Sequence, residues 1–180
     1  MPHPLHLFRF CPLCGSADFQ EHDARSKRCA TCGFTYYHNA SAATVAVIFN
    51  SRGELLVARR AMEPARGTLD LPGGFVDPGE GIVEGLLREI KEETGAEATA
   101  VRFLFSLPNV YKFSGFEVNT TDCFFECRIQ DEADLHPSDD AAELFWQPLS
   151  EVRPSLFGLK SISQGVAKIL AMSASDGFSR

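Results

Sequence analysis

The sequence is short of positive charge. Seventeen Lys and Arg stand against 24 Asp and Glu, for a net charge of −7. A protein whose main partner is a nucleic-acid backbone carries the opposite excess, so that class is disfavoured. A small phosphorylated ligand stays open, because a bound cation can supply the positive charge locally. One Trp and three Tyr accompany fifteen Phe, so the aromatic content is mostly apolar payload for a core. No apolar run reaches the roughly 18 residues of a membrane-crossing helix. The first ten residues, MPHPLHLFRF, lack a charged start, an apolar stretch and a cleavage site. That reads as no signal peptide and a cytoplasmic location, where thiols stay reduced. Internal repeats and low-complexity segments are absent as well.

The six Cys therefore call for something other than disulfides. Four form two pairs, Cys11-Pro-Leu-Cys14 and Cys29-Ala-Thr-Cys32, with fourteen residues between them. Gly15 and Gly33 follow the pairs and suit tight turns that aim backbone N–H groups at thiolates. Paired Cys-x-x-Cys knuckles at this distance match a structural zinc ribbon. Four thiolates around Zn²⁺ would fold a segment too small for a core of its own. A redox dithiol or unconnected thiols are the rival readings, and the doubled pattern disfavours both. Cys123 and Cys127 lie in TDCFFECRI and read as plain strand or core residues.

Beyond Tyr36–Ala43 the pattern changes. Ala43–Phe49 reads as a buried strand, Asn50–Gly53 as a turn and Glu54–Arg60 as a second strand. A Gly- and Pro-rich loop leads to a helix expected from about Pro78 to Thr94, stopped by Gly95. Strands are expected at Ala100–Leu107, at Phe116–Ile129 with an interruption, and at Leu144–Gln147. DEADLHPSDDAAE, from Asp131 to Glu143, reads as a solvated acidic loop. Gly158–Ser173 carries Leu159, Ile162, Val166, Ile169 and Leu170 at helical spacing and reads as an amphipathic core helix. Two helices flanking a mixed sheet is the simplest architecture for this order.

The first helix is unusual in its charge. At 100° per residue, with Glu89 at zero, Glu92 falls near −60° and Glu93 near +40°. Ile82, Val83, Leu86, Leu87 and Ile90 fan from about +20° to +160°. Three carboxylates thus border the apolar stripe instead of facing away from it. Gly85, near −40° on the same step, sits among them and leaves room for something to approach. Like charges at this spacing repel. A hard divalent cation reverses that sign, since Mg²⁺ takes oxygen ligands and bridges carboxylates to phosphates. Arg88 can lock the rim by pairing with a neighbouring carboxylate. Ahead of the helix, Gly73 and Gly74 allow the chain to approach a ligand closely, and a free carbonyl there could complete a metal shell. A solvated acidic face after an ordinary turn is the rival reading.

Gly74, five residues, Glu80, seven residues, then Arg88-Glu89-Ile90-Lys91-Glu92-Glu93-Thr94-Gly95-Ala96 closely resembles the Nudix box. Only the final aliphatic position, filled by Ala96, is small. The resemblance implies an α/β fold of the α+β kind, an α/β/α sandwich with a mixed sheet. With the Cys pairs it implies a zinc ribbon over residues 1–38 and a Nudix domain over residues 39–175. It further implies Mg²⁺- or Mn²⁺-dependent hydrolysis of a nucleoside diphosphate linked to another group. By position, Glu89, Glu92 and Glu93 correspond to metal ligands, with Glu89 also a candidate base. Arg88 and Glu80 correspond to the pair that orients them, and the backbone of Gly73 or Gly74 to a further ligand. Families of this type often use one more Glu outside the box; Glu143 is preferred here over Glu126.

A zinc ribbon ahead of the box is similar to the NADH pyrophosphatase branch, and to relatives acting on FAD or ADP-ribose. Where that branch carries Ser-Gln-Pro-Trp, this chain has Ser106-Leu107-Pro108-Asn109. The departure removes an amide and a stacking ring and puts NADH preference in doubt. Tyr111, Phe113 and Phe116 are nearby and could stack on a base, with strand core or a dimer contact as the rival. Arg59 or Arg60 could contact a phosphate, with a salt bridge to Asp70 as the rival. The leading expectation is a pyrophosphatase that releases two monophosphates. A nucleoside triphosphate sanitising enzyme and a non-catalytic nucleotide- or RNA-binding module are the alternatives. The resemblance also implies a homodimer.

Overall fold

A computed structural model describes residues 3–133, 135–136 and 141–174. Part of the expected acidic loop, residues 134 and 137–140, and residue 175 lie outside the described residues. The chain divides into two compact units, Met1–Ala40 and Ser41–Arg180.

The first unit is a three-stranded antiparallel sheet of β1 (Phe19–Asp23), β2 (Ser26–Cys29) and β3 (Thr35–Tyr37). Its apolar centre is small: Cys11, Phe19 and Cys29, with Phe34 packed against them. Such a centre is far below what a free-standing domain needs without a staple.

The second unit holds two sheets. One runs β4 (Ser41–Ile48), β8 (Phe116–Ile129), β7 (Ala98–Phe113), with β4 parallel and β7 antiparallel to β8. The other runs β6 (Leu69–Asp70), β5 (Leu55–Arg60), β9 (Ala141–Gln147), all antiparallel. Helices α1 (Ile82–Thr94) and α2 (Lys160–Ala174) complete it. The result is a mixed-sheet α+β fold with two helices.

Strand periodicity explains the layering. Successive side chains point to opposite faces of a strand. In β4, Val45 and Val47 join the cluster that contains Ile162, Val166 and Ile169 of α2. Ala46 and Ile48 join Leu86 and Ile90 of α1. Leu55 and Val57 against Leu56 in β5, and Phe124 against Cys123 and Phe125 in β8, divide in the same way. A sheet covered on both faces needs near-continuous apolar strands, which is what these segments are. Cys123 and Cys127 are buried here as ordinary core residues.

The structure corrects several sequence expectations. α1 starts at Ile82, not near Pro78. Gly79 has φ +96 and Gly81 is extended, so the chain turns there before it coils. The Glu84 carboxylate accepts the Gly81 N–H at 2.6 Å and closes the open end of the helix. Gly95 ends it with φ 74, as expected. The apolar stripe is narrower than its wheel: Leu86 and Ile90 are buried, whereas Val83 and Leu87 are exposed. β7 runs through Pro108 to Phe113. It is an edge strand in the described sheet, where a missing N–H is tolerated. β8 has no interruption, because its polar run from Asn119 to Asp122 stays paired to β7, and from Thr120 to β4 as well. β9 takes in Ala141–Glu143, where the sequence pattern suggests loop. No helix among the described residues is long and apolar enough to cross a membrane.

Candidate active site

Arg88 is the organising cation. Its Nε donates to Glu80 Oε1 at 2.8 Å and its Nη2 to Glu80 Oε2 at 3.0 Å, a two-pronged pair between the helix and the loop before it. Nη1 donates to Glu89 at 2.8 Å and to Glu92 at 2.9 Å. Nη2 also reaches the Phe75 carbonyl at 3.0 Å, tying the helix to the glycine loop. Glu84, one turn before Arg88, does not pair with it and caps the helix instead. Arg88's hydrogen bonds, with the Asp77 N–H, hold the Glu80 carboxyl below its ordinary range. The same bonds push the Arg88 guanidinium further up.

Glu89 behaves oppositely. Burial pushes its carboxyl above the ordinary glutamate value, although Arg88 pulls it down. The carboxylate lies over Gly74, where an added Cβ would stand 2.6 Å from the carboxyl carbon. Only a glycine leaves Glu89 this seat. Gly85 has a comparable reason: a Cβ there would meet Glu80 at 3.1 Å and Val76 at 3.3 Å. The space it leaves on α1 is thus filled by Glu80 and Val76.

Glu93 accepts the Gly73 N–H at 2.8 Å. Gly73 has φ +145, and a Cβ there would lie 2.1 Å from the Thr44 carbonyl oxygen. The loop therefore lies flat against β4, with Thr44 N–H donating to the Gly74 carbonyl at 2.8 Å. Glu89, Glu93, Gly73 and Gly74 all line one cavity of about 480 Å³. Glu92 does not line it; its carboxylate is half-exposed beside Arg88. Oxygen donors on a cavity wall, one of them desolvated, suit a hard divalent cation.

The residues picked outside the box fall elsewhere. Glu143 is paired with Arg59 at 2.9 Å, and Glu126 with Arg102; neither lines the cavity. Arg60 lines it, but its guanidinium is spoken for by Asp70 and, at 2.8 Å, by the Pro64 carbonyl. Tyr111 lines it too and packs edge-on against Phe75 with ring centres 6.0 Å apart.

Sequence reasoning named Asp70 as a salt-bridge partner, which it is to Arg60, but missed Thr120 and Asp122 in the cavity wall. Asp122 is buried, with one carboxylate oxygen accepting from Thr120 Oγ1 at 2.5 Å and the other from Ser161 Oγ at 2.5 Å. Asn109 and Asp70 are buried beside the same space. The available signal was the run Asn119-Thr120-Thr121-Asp122, polar where a core strand should be apolar.

In the first unit, Cys11, Cys14, Cys29 and Cys32 gather with sulfurs within 4.8 Å of one another. Cys11 and Cys32 sulfurs are 3.7 Å apart, and Cys14 and Cys29 sulfurs 3.6 Å. A tetrahedron with metal–sulfur arms of about 2.3 Å has edges of about 3.8 Å, so these sulfurs fit a four-coordinate ion. Gly15 and Gly33 take positive φ as their turns require. Their N–H groups donate to the carbonyls of Cys11 and Cys29, each at 2.9 Å, and not to sulfur. Burial raises the Cys29 thiol, but the N–H groups of Cys32 and Thr31, together with the Cys14 and Cys32 thiols, bring it down to about 6. Among the described residues no other cluster of His, Cys, Asp and Glu is gathered this tightly.

A NUDIX domain family profile matches residues 39–169. A Chromobacterium violaceum NAD-capped RNA hydrolase NudC is 34% identical over 101 residues, covering 56% of this chain and 37% of that protein. The Vibrio vulnificus protein of the same name is 29% identical over 106 residues, covering 59% and 40%. The chain thus spans about 40% of the length of these curated relatives. A NUDIX hydrolase crystal structure from Nitrosomonas europaea superposes with a TM-score of 0.72 at 21% identity over 93% of each chain, a likeness of fold. With the profile spanning most of the chain and the Arg88–Glu80 clamp set over the glycine loop, this protein belongs to the NUDIX family.

Proposed function

We propose that the chain is a divalent-metal-dependent pyrophosphohydrolase. It cleaves the diphosphate of a nucleoside-diphosphate-linked substrate, of the NADH, ADP-ribose or FAD type, into two monophosphates. The observation that carries this is the seat of Glu89. The Glu89 carboxylate is half-buried over Gly74, with Arg88 on one side and Glu93 beside it on one cavity wall, so its cavity side offers oxygen donors to a divalent cation.

Glu89 and Glu93 would hold Mg²⁺ or Mn²⁺ from the cavity wall. Of the two glycine carbonyls, Gly74's is already taken by Thr44, which favours Gly73's as the backbone ligand. Glu92, half-exposed and off the cavity wall, would join by turning its second oxygen toward the ion. Glu143 is left out, because Arg59 holds it. When bound, the ion neutralises the diphosphate and acidifies a coordinated water. Arg88 and Glu80 fix the direction of Glu89. Glu89, held in place by Arg88, would accept the proton of the attacking water. The water oxygen bonds to one phosphorus, the bridging oxygen leaves on the other, and two monophosphates result.

The Cys cluster would hold structural Zn²⁺ and so staple the small first unit. Thiolates able to do this imply a reducing location such as the cytoplasm. A homodimer is the assembly we propose, to be measured by sedimentation.

The test is a product assay with Mg²⁺ on NADH, NAD, ADP-ribose, FAD, diadenosine polyphosphates and ordinary or oxidised triphosphates. The names of the relatives add NAD-capped RNA to that panel. Wild type should give a nucleoside monophosphate plus a second monophosphate from one member, and Glu93→Gln should not. Inorganic pyrophosphate released from a triphosphate alone would establish the sanitising reading instead. No cleavage by folded, zinc-loaded protein would point to a binding module.

A further inference from the structure

Asn109 sits on β7 directly opposite Thr120 of β8. It is only 8% exposed and lines the cavity. Its side-chain amide makes no hydrogen bond to any described residue. The amide carries two N–H donors and an acceptor oxygen that a group in the cavity can reach.

The neighbours explain why no protein group serves it. Thr120, its cross-strand partner, donates its hydroxyl to Asp122. Ser161 donates to the other Asp122 oxygen. These hydroxyls are committed within the wall. The amide is left facing the cavity, with an acidic side chain nearby and the Phe75–Tyr111 ring pair on the lining of the same space. An amide pairs in two prongs with an edge that shows an N–H donor beside an acceptor. Ring faces suit the plane that carries such an edge. The Asp122 carboxylate favours a donor and repels an anion.

We infer that Asn109 determines specificity by reading an amide-type edge of the ligand, an N–H donor next to an acceptor. An aminopurine and a ring carboxamide both carry that edge. The inference rests on the reading of this cavity as the nucleotide site, and it requires binding alone, not hydrolysis.

The experiment is calorimetric titration of the whole protein with two matched pairs of mononucleotides. One pair is nicotinamide mononucleotide and its 3-acetylpyridine counterpart; the other is AMP and purine riboside 5′-monophosphate. Within each pair only the donor on the edge is lost. Wild type should favour the amide or amino member of one pair by about 5–150-fold, the range for one two-pronged contact. The pair that shows the ratio identifies the source of the edge. Asn109→Leu should bring that ratio near one. Asn109→Ala, which removes both the donor and the acceptor, should do the same, so a folding defect in one variant leaves the other to decide. Equal binding within both pairs by wild type, or a ratio that survives both substitutions, overturns the inference and leaves the proposed hydrolysis standing. If no mononucleotide binds wild type, the nucleotide reading falls and the inference falls with it.

Discussion

Replacing Gly74 by Ala should damage catalysis far more than stability. The added Cβ would stand 2.6 Å from the Glu89 carboxyl carbon and 2.6 Å from one of its oxygens. Ordinary contact begins at about 3.4 Å, so the carboxylate must retreat by about 0.8 Å. It is the far end of a flexible side chain and can do so. The Gly74 backbone is outside the left-handed region, so alanine is not strained there. Gly→Ala at a compatible site alters stability by about 0.4–1 kcal/mol through the unfolded chain. At this length that shifts Tm by at most about 4 °C. A misplacement of about 1 Å in a reacting group, by contrast, costs about 100-fold in rate. The assay is the Mg²⁺-dependent kcat of Gly74→Ala beside a thermal melt. Gly73→Ala is the contrast: its Cβ would lie 2.1 Å from a strand carbonyl at φ +145, so it should fail to fold well. Full activity in Gly74→Ala, with unchanged metal dependence, would show that Glu89's position is irrelevant to the chemistry.

Three further outcomes are expected. Gly165→Ala on α2 would drive a Cβ to within 2.3 Å of the buried Phe124 ring, and overpacking of this kind should cost about 1–3 kcal/mol, read as a lowered urea midpoint. Glu80 has a folded pKa depressed by Arg88 and the Asp77 N–H. Its stabilising contribution is therefore present above the unfolded glutamate value and is lost as pH falls through the folded one. Glu80→Gln should accordingly be less stable at neutral pH and show a shallower acid limb in pH-dependent melts. The Cys cluster should bind one Zn²⁺ per chain by elemental analysis, and Cys11→Ser or a strong chelator should remove it and raise the protease sensitivity of the first unit.

Much of the site was legible in the sequence because it is local. Glu89 and Glu93 lie within two turns of one helix, so a 100° step places them together; the same step groups Glu92 with them, which the structure leaves off the cavity wall. The Cys pairs are legible for the same reason, since each knuckle spans four residues. The strand cores were visible because a sheet covered on both faces demands unbroken apolar runs. The start of α1 was not legible, because it depends on whether Gly79 and Gly81 leave the helical region.

Other features could be decided only by the tertiary structure. Gly74 is adjacent to Glu89 only because the loop folds back over α1. Thr44 captures the Gly74 carbonyl only because that loop pairs against β4. Arg59 is Glu143's partner through the β5–β9 register, which spacing along the chain does not encode. Thr120 and Asp122 share a face of β8 by the strand period, but Asn109 joins them at the cavity only through the β7–β8 register. Short-range spacing obeys fixed geometry per residue, so composition and order along the chain suffice to place it. Contacts between distant segments depend on how sheets and loops pack, and there a shift of one residue in register would turn each of these side chains to the opposite face.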